Sequence, residues 1–313
     1  MHPTRPFLSI ALPSSPPAQL ATRSSVTPLN RRLFGLPTPP APLTSLHNDL
    51  PSFLDYARRT SLPEKTTTYQ GTIYEYTVQS HLRASAFSLH RVGGKSDLGI
   101  DLTGTWHVGA NPVIDPPVRV IVQCKATKAK LGPHVVRELE GVTARHFAVS
   151  LARGSGGGVG MLVGPRETSK GVREALGRSA MPLVWMMVER DGRVRQVLWN
   201  GRVEKLGLGG LGVEVLYSKS GEGEAEAEVS TEARLTWEGK EVQTMDEVEE
   251  GMKRLEEEWM TKWKEDGLED VSAEEVLDAV EKFVPETRPI SISDEERKEV
   301  ARSLLLTRSG RVQ

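Results

Sequence analysis

From Ser61 onward the apolar positions fall into short runs whose spacing alternates between helical and strand-like. Thr67 to Ala84 (TTYQGTIYEYTVQSHLRA) carries apolar or aromatic residues at 69, 73, 74, 78 and 82, close to the helical repeat, and predicts a helix. FSLHRV, from Phe87, alternates apolar with polar and predicts a short strand ending in a Gly-Gly turn. Ile100 to Val108 (IDLTGTWHV) predicts a second strand. GANPVIDPP is a loop by its Gly and Pro content, and VRVIVQCKA is the next strand. HVVRELEGVTARH then predicts a helix, VGMLVG a buried strand, SKGVREALGRS a helix and PLVWMMVE another buried strand.

Strand and helix in this order predict an α/β domain with a mixed central sheet flanked by helices, over residues 61–217. Glycine-broken strand-like sequence at 194–217 closes it. Residues 218–235 (around GEGEAEAEVSTEA) are expected to be an acidic low-complexity loop. Residues 236–285 form an acidic C-terminal helical extension with apolar positions at 248, 252, 255 and 259, and 286–313 are a loosely ordered tail.

Composition sharpens this picture at three points. No apolar run reaches the roughly 18–20 residues that span a bilayer. The single cysteine, Cys124, excludes an internal disulfide and a thiolate zinc cage, and the seven histidines lack HxxxH or HExxH spacing. Charge is segregated although the net is only −2: residues 53–215 hold 22 basic and 14 acidic side chains, residues 216–313 hold 14 and 27. A basic middle favours a polyanionic partner, while an acidic helical tail is also what a solvated surface looks like. Residues 1–48 contain four Arg, many Ser, Thr and Pro, and no acid. That is the chemistry of an organelle presequence, so residues 1–50 are expected to be a disordered mitochondrial presequence, with Arg31-Arg32-Leu33-Phe34 near its cleavage site.

Candidate chemistry lies between residues 93 and 125. Gln123 and Lys125 sit two apart in a strand and so point to one side, leaving Val118, Val120, Val122 and Cys124 as a buried face. The short loop before that strand makes it an antiparallel partner of the strand that begins at Asp101, which brings Asp101 towards the level of Gln123 and Lys125. One carboxylate, one amide oxygen and one ammonium then converge. Magnesium takes oxygen ligands and keeps several waters, so Asp101, the Gln123 amide and the backbone carbonyl of Cys124 are candidate ligands of Mg²⁺ (or Mn²⁺). Lys125 would orient an attacking water or offset phosphate charge, and Glu75 on the preceding helix is a candidate for the same pocket.

YEYTV, GGKSDLGIDL, VIVQCKATK and VVRELEG, in this order, resemble the catalytic core of Mrr-type restriction endonucleases within the PD-(D/E)XK nuclease superfamily. With the presequence and acidic extension, the chain also resembles the fungal mitochondrial "required for respiratory growth" family, the seventh so named. The resemblance implies a restriction-endonuclease-like fold over roughly residues 62–190. It further implies Glu75 as the helix acid, Asp101 as the metal-binding aspartate, and Gln123 with Lys125 as the Gln-x-Lys pair. Asp97 falls where a further acid often stands, although an aspartate there also suits a turn. His81 and His90 flank the site in sequence and are expected to serve packing. The implied function is a metal-dependent phosphodiesterase acting on DNA in the mitochondrion. A catalytically silent nucleic-acid-binding protein and a mitochondrial assembly factor docking through its acidic tail remain as alternatives.

Overall fold

The computed structural model describes residues 26–93, 99–152, 157–220, 228–283 and 292–309. Helices α1 (Pro28–Leu33), α2 (Leu50–Arg59) and α3 (Thr67–His81) precede a six-stranded sheet. Its strands are β1 (Phe87–Arg91), β2 (Leu102–Trp106), β3 (Val118–Cys124), β4 (Gly158–Gly164), β5 (Leu183–Val188) and β6 (Val194–Trp199), ordered in space as in sequence. The β1–β2, β2–β3 and β5–β6 pairs are antiparallel; β3–β4 and β4–β5 are parallel, with crossovers through α4 (His134–Ala152) and α5 (Lys170–Arg178). The expected mixed sheet flanked by helices is therefore present.

Parallel strands in the middle of a sheet are covered on both faces, and β4 (GVGMLVG) is buried along its whole length. One face of the sheet packs Leu102, Trp106, Val120, Val122, Met161 and Met186 against Tyr74 and Val78 of α3 and Leu82 just after it. Trp106 stacks on Phe87 with ring centroids 4.6 Å apart. The other face packs Leu162, Leu183 and Trp185 against Val136 and Leu139 of α4 and Val172 and Leu176 of α5. Glycine at 158 and 160 is what lets α4 settle on β4, since a Cβ at either position would run into Phe147 or Thr143. Cys124 does join the first core, but the opposite face of β3 is no open surface: Ile121 and Gln123 are buried there too.

A short helix α6 (Gly201–Val203) leads to a second sheet of β7 (Leu211–Ser220), β8 (Glu228–Trp237) and β9 (Lys240–Glu241), which adds Leu211, Ala233, Leu235 and Val242 to the first core. Residues 228–235 were expected to be loop; they are strand because each pairs with β7, from Ser220↔Glu228 through Val213↔Leu235. α7 (Met245–Glu265), α8 (Ala273–Phe283) and α9 (Asp294–Ser309) form the helical extension, with a small core of their own around Trp263, Val276, Val280 and Val300. The last segment is thus firmer than a loose tail, because Val300 and Ala301 are buried and Arg297 binds Asp266 at 2.8 Å. Among the described residues no helix is long and apolar enough to cross a membrane.

The expectation of disorder through residue 50 also needs correction. Residues 1–25 lie outside the described residues, but α1 is capped by Thr27 and α2 by an Asp49–Ser52 capping box. Leu29 is 2 % exposed and Leu36 packs with Met245, Val248 and Met252 of α7. Arg32 binds Glu281 at 2.8 Å and the Thr27 hydroxyl donates to Glu256 at 2.7 Å. Cleavage at Arg31–Phe34 would remove these contacts. Burying Leu29 and Leu36 stabilises by roughly 1.5–3 kcal/mol each, so a chain starting at residue 37 should unfold at markedly lower urea concentration than one starting at residue 26.

His107 gives the fold a pH dependence. Its Nε2 lies 2.9 Å from the Thr105 hydroxyl, and burial lowers its pKa to about 4, with the Pro112 carbonyl opposing. The unfolded chain binds this proton near pH 6.5 and the folded one near 4, so the stability gained from holding the ring neutral is complete above the higher value and is lost as pH falls through the lower. Denaturation between pH 7 and 4 should show a loss of about 3 kcal/mol from this group, and His107→Gln should flatten that slope.

Candidate functional site

Asp101 stands one residue ahead of β2, where regular pairing begins at Leu102↔Val122. Its N–H donates to the Val122 carbonyl at 2.9 Å, and its own carbonyl accepts from the N–H groups of Val92 and Gly93 at 2.9 and 3.0 Å. Its carboxylate Oδ2 accepts from the Cys124 N–H at 2.6 Å, a short charge-assisted bond. Cys124 has no residue of β2 opposite it, so the side chain supplies the acceptor that the ladder lacks. Asp101 thereby ties β1 to the end of β3.

Gln123 and Lys125 share the face of β3 opposite Val122 and Cys124, as alternation requires. Gln123 is only 6 % exposed, and its amide Oε1 is enclosed without a hydrogen-bond partner among the described residues. Gly99 flanks the amide: its φ of +81° suits glycine, and a Cβ there would stand 2.7 Å from Gln123 Nε2. Lys125 is half-buried and donates its N–H to the Val163 carbonyl at 2.8 Å. Among the described residues no carboxylate lies within ion-pair distance of its ammonium.

Glu75 approaches on α3, but its Oε2 is held by Arg91 Nε at 2.5 Å, and the Arg91 guanidinium lies 5.6 Å from the Tyr76 ring centre. Arg91 is the site residue that sequence reasoning missed; its signal is a cation on the apolar parity of β1, after Phe87 and Leu89. Burial pushes the Cys124 thiol well above its ordinary range; the Asp101 and Glu75 carboxylates push the same way, while Lys125 and Arg91 oppose them. All four charges therefore act on one sulfur at the end of β3.

Asp97 lies outside the described residues. Among those described, no three His, Cys, Asp or Glu side chains gather as a metal cage. The oxygens at hand for a hard cation are the Asp101 carboxylate, the Gln123 amide and the Cys124 carbonyl, and the unpartnered Gln123 Oε1 is the atom that fits such a role. His81 serves packing, as expected: its Nδ1 bonds the Thr77 carbonyl at 2.9 Å and its ring lies against Gly192, while His90 is half-buried on β1 and borders a cavity.

The family described as required for respiratory growth protein 7 matches residues 66–116 and 109–217, a stretch that starts at the N-cap of α3 and includes Glu75, Asp101, Gln123 and Lys125. Over residues 66–217 the chain is similar to that family. An uncharacterized mitochondrial protein of Schizosaccharomyces pombe is 41% identical over 113 residues, covering 36% of this chain and 43% of the relative. Required for respiratory growth protein 7 of Saccharomyces cerevisiae is 26% identical over 178 residues, covering 44% of this chain and 72% of the relative. A protein of the same name from Eremothecium gossypii is 26% identical over 168 residues. The chain thus spans less than half the length of the fission-yeast relative. These relatives are named mitochondrial, and the protein is assigned to the mitochondrion. No solved structure matches.

Asp101 and Gln123 should separate in their effect on stability. Asp101→Ala leaves the Cys124 N–H without its charged partner and should cost about 1.5–3 kcal/mol. Gln123→Met removes an amide oxygen that nothing satisfies and should change unfolding free energy by less than about 1 kcal/mol. Urea denaturation of the two variants checks both.

Proposed function

We propose that this chain is a mitochondrial nuclease-like protein that hydrolyses phosphodiester bonds of DNA with Mg²⁺ or Mn²⁺, and that it supports respiratory growth as its Saccharomyces cerevisiae relative's name says of that protein. The observation that carries the reading is the buried, unpartnered Gln123 oxygen beside Asp101 and Lys125 at the end of one strand. The antiparallel β1–β3 ribbon followed by parallel β4 and β5 supports a restriction-endonuclease-like fold for the core.

On this reading Asp101, Gln123 and the Cys124 carbonyl hold the divalent cation. When bound, the cation offsets charge on the scissile phosphate and lowers the pKa of a coordinated water. Lys125 brings a half-buried ammonium that stabilises the oxygens on which negative charge grows. Its shelter makes that charge act more strongly than it would in open water. Asp101 is kept in place by its bond to the Cys124 N–H, so the ligand does not need to reorganise. Glu75 is spoken for by Arg91 and acts by setting the local charge.

A second reading, a silent nucleic-acid binder, is favoured by the same pair: with a neutral amide at 123 and Glu75 paired to Arg91, the site offers little negative charge to a cation. Incubating the purified full chain with supercoiled and single-stranded DNA plus Mg²⁺ or Mn²⁺ separates the two. Cleavage is expected, with Lys125→Ala and Asp101→Asn each losing at least a hundredfold in rate while melting normally. DNA retention with no metal-dependent cutting would install the second reading, and undiminished cutting by either variant would remove that residue from the mechanism.

A further inference from the structure

Strand alternation lays two cross-strand rows on the face of β1–β3 turned away from α3: Ser88–Thr105–Arg119 and His90–Thr103–Ile121. The same face of β4 and β5 is apolar and covered by α4 and α5. Here it carries three hydroxyls, an imidazole and a guanidinium, and α4 reaches it at His146, Phe147 and Ser150. Residues 26–40 lie over it and enclose a cavity of about 200 Å³, into which Arg31 reaches from α1 and His146 from α4.

No carboxylate is among the described residues that line this cavity. Glu249, which acts on Arg31 from α7, is itself held by Arg83 at 3.1 Å. The surplus of positive charge registers in the histidines. Burial lowers the His90 pKa and Arg31 and Arg83 lower it further; burial lowers that of His146 and Arg119 adds to it. At neutral pH the cavity therefore offers two guanidinium groups, neutral imidazoles and hydroxyls, of which Thr103 already meets the Val120 carbonyl and Thr105 the His107 ring, with no carboxylate in its described lining. Arg119 is already positioned, donating to the Ser150 hydroxyl at 2.8 Å and lying 5.4 Å from the Phe147 ring centre.

We propose that this cavity binds the phosphate group of a nucleotide, free or at the end of a strand. Guanidinium forks and hydroxyls match the several oxygens of a phosphate, and the volume exceeds what one inorganic anion fills. Thr103 stands two residues from Asp101 and Ile121 two from Gln123, about 7 Å along a strand, so the cavity adjoins the candidate centre on one face. It does not depend on phosphodiester cleavage and would stand in a chain that cuts nothing.

Calorimetric titration of the full chain with deoxyadenosine monophosphate should show saturable binding, and deoxyadenosine should show none. Arg31→Gln combined with Arg119→Gln should weaken the nucleotide at least tenfold, and Thr105→Val, which keeps the side-chain shape, at least threefold. Lys125→Ala should leave it within twofold. Competition by a short oligonucleotide with and without a 5′ phosphate identifies the source: displacement only by the phosphorylated strand points to a terminus, displacement by neither to a free nucleotide. Equal binding of nucleoside and nucleotide would overturn the proposal. So would undiminished binding in the double variant and in Thr105→Val, or loss of binding on Lys125→Ala alone.

Discussion

A slip of one residue of β3 along β2 would carry Val120 and Val122 out of the core and turn Arg119, Ile121 and Gln123 into it. Every chemical feature of the sheet depends on that register being held, and it is held at both ends. At one end Trp106, fully buried, pairs with Val118, stacks on Phe87 and donates its indole N–H to the Ser85 carbonyl. At the other the Asp101 carboxylate closes on the Cys124 N–H. An aspartate that holds register and faces the candidate centre has two roles at once. Loss of activity in an Asp101 variant is therefore informative only beside a measurement of its fold.

The acidic C-terminal helices are tied to the rest of the chain by ion pairs. Arg83, in the turn that ends α3, is sheltered and binds Asp246 and Glu249 of α7; Arg32 of α1 binds Glu281 of α8. Breaking a sheltered pair by removing one partner strands the other charge and costs more than the pair itself contributes. Part of the charge segregation along the sequence is thus spent inside the molecule, where the acidic tail neutralises basic groups of the core and of α1. Arg119 and Lys125, which pair with no carboxylate among the described residues, lie on the face of the candidate site.

The elements from α3 to β5 were legible because each is a short run with one clear period bounded by Gly, Pro or a polar cap. Their pairing was legible because a short loop forces β2 and β3 antiparallel. The site was legible as residue types on one parity. What alternation could not reveal is which polar groups are already bound to each other: that Arg91 would take Glu75, or that Asp101 would give an oxygen to the backbone. The early failures have one cause. In Pro28–Leu36 and Glu228–Ala233 the composition is that of disorder, and order comes from partners more than 200 residues away or from a paired strand that local propensity does not see.

Charge accounting at the end of β3 bears on how a phosphodiester centre built this way would work. Glu75 is paired with Arg91, Gln123 is uncharged, and the Asp101 carboxylate and the Lys125 ammonium act in opposite senses on the Cys124 thiol. The pocket therefore presents almost no net negative charge to a divalent cation, and protein oxygens fill only part of an octahedral shell. Phosphate oxygens are what would complete both the charge and the coordination. In such a centre cation and phosphate act as each other's counter-ion, so each raises the affinity for the other by the same factor. On the proposed reading, a neutral amide at 123 would make the centre assemble with its substrate, the cation being held firmly only once a phosphodiester lay against Lys125.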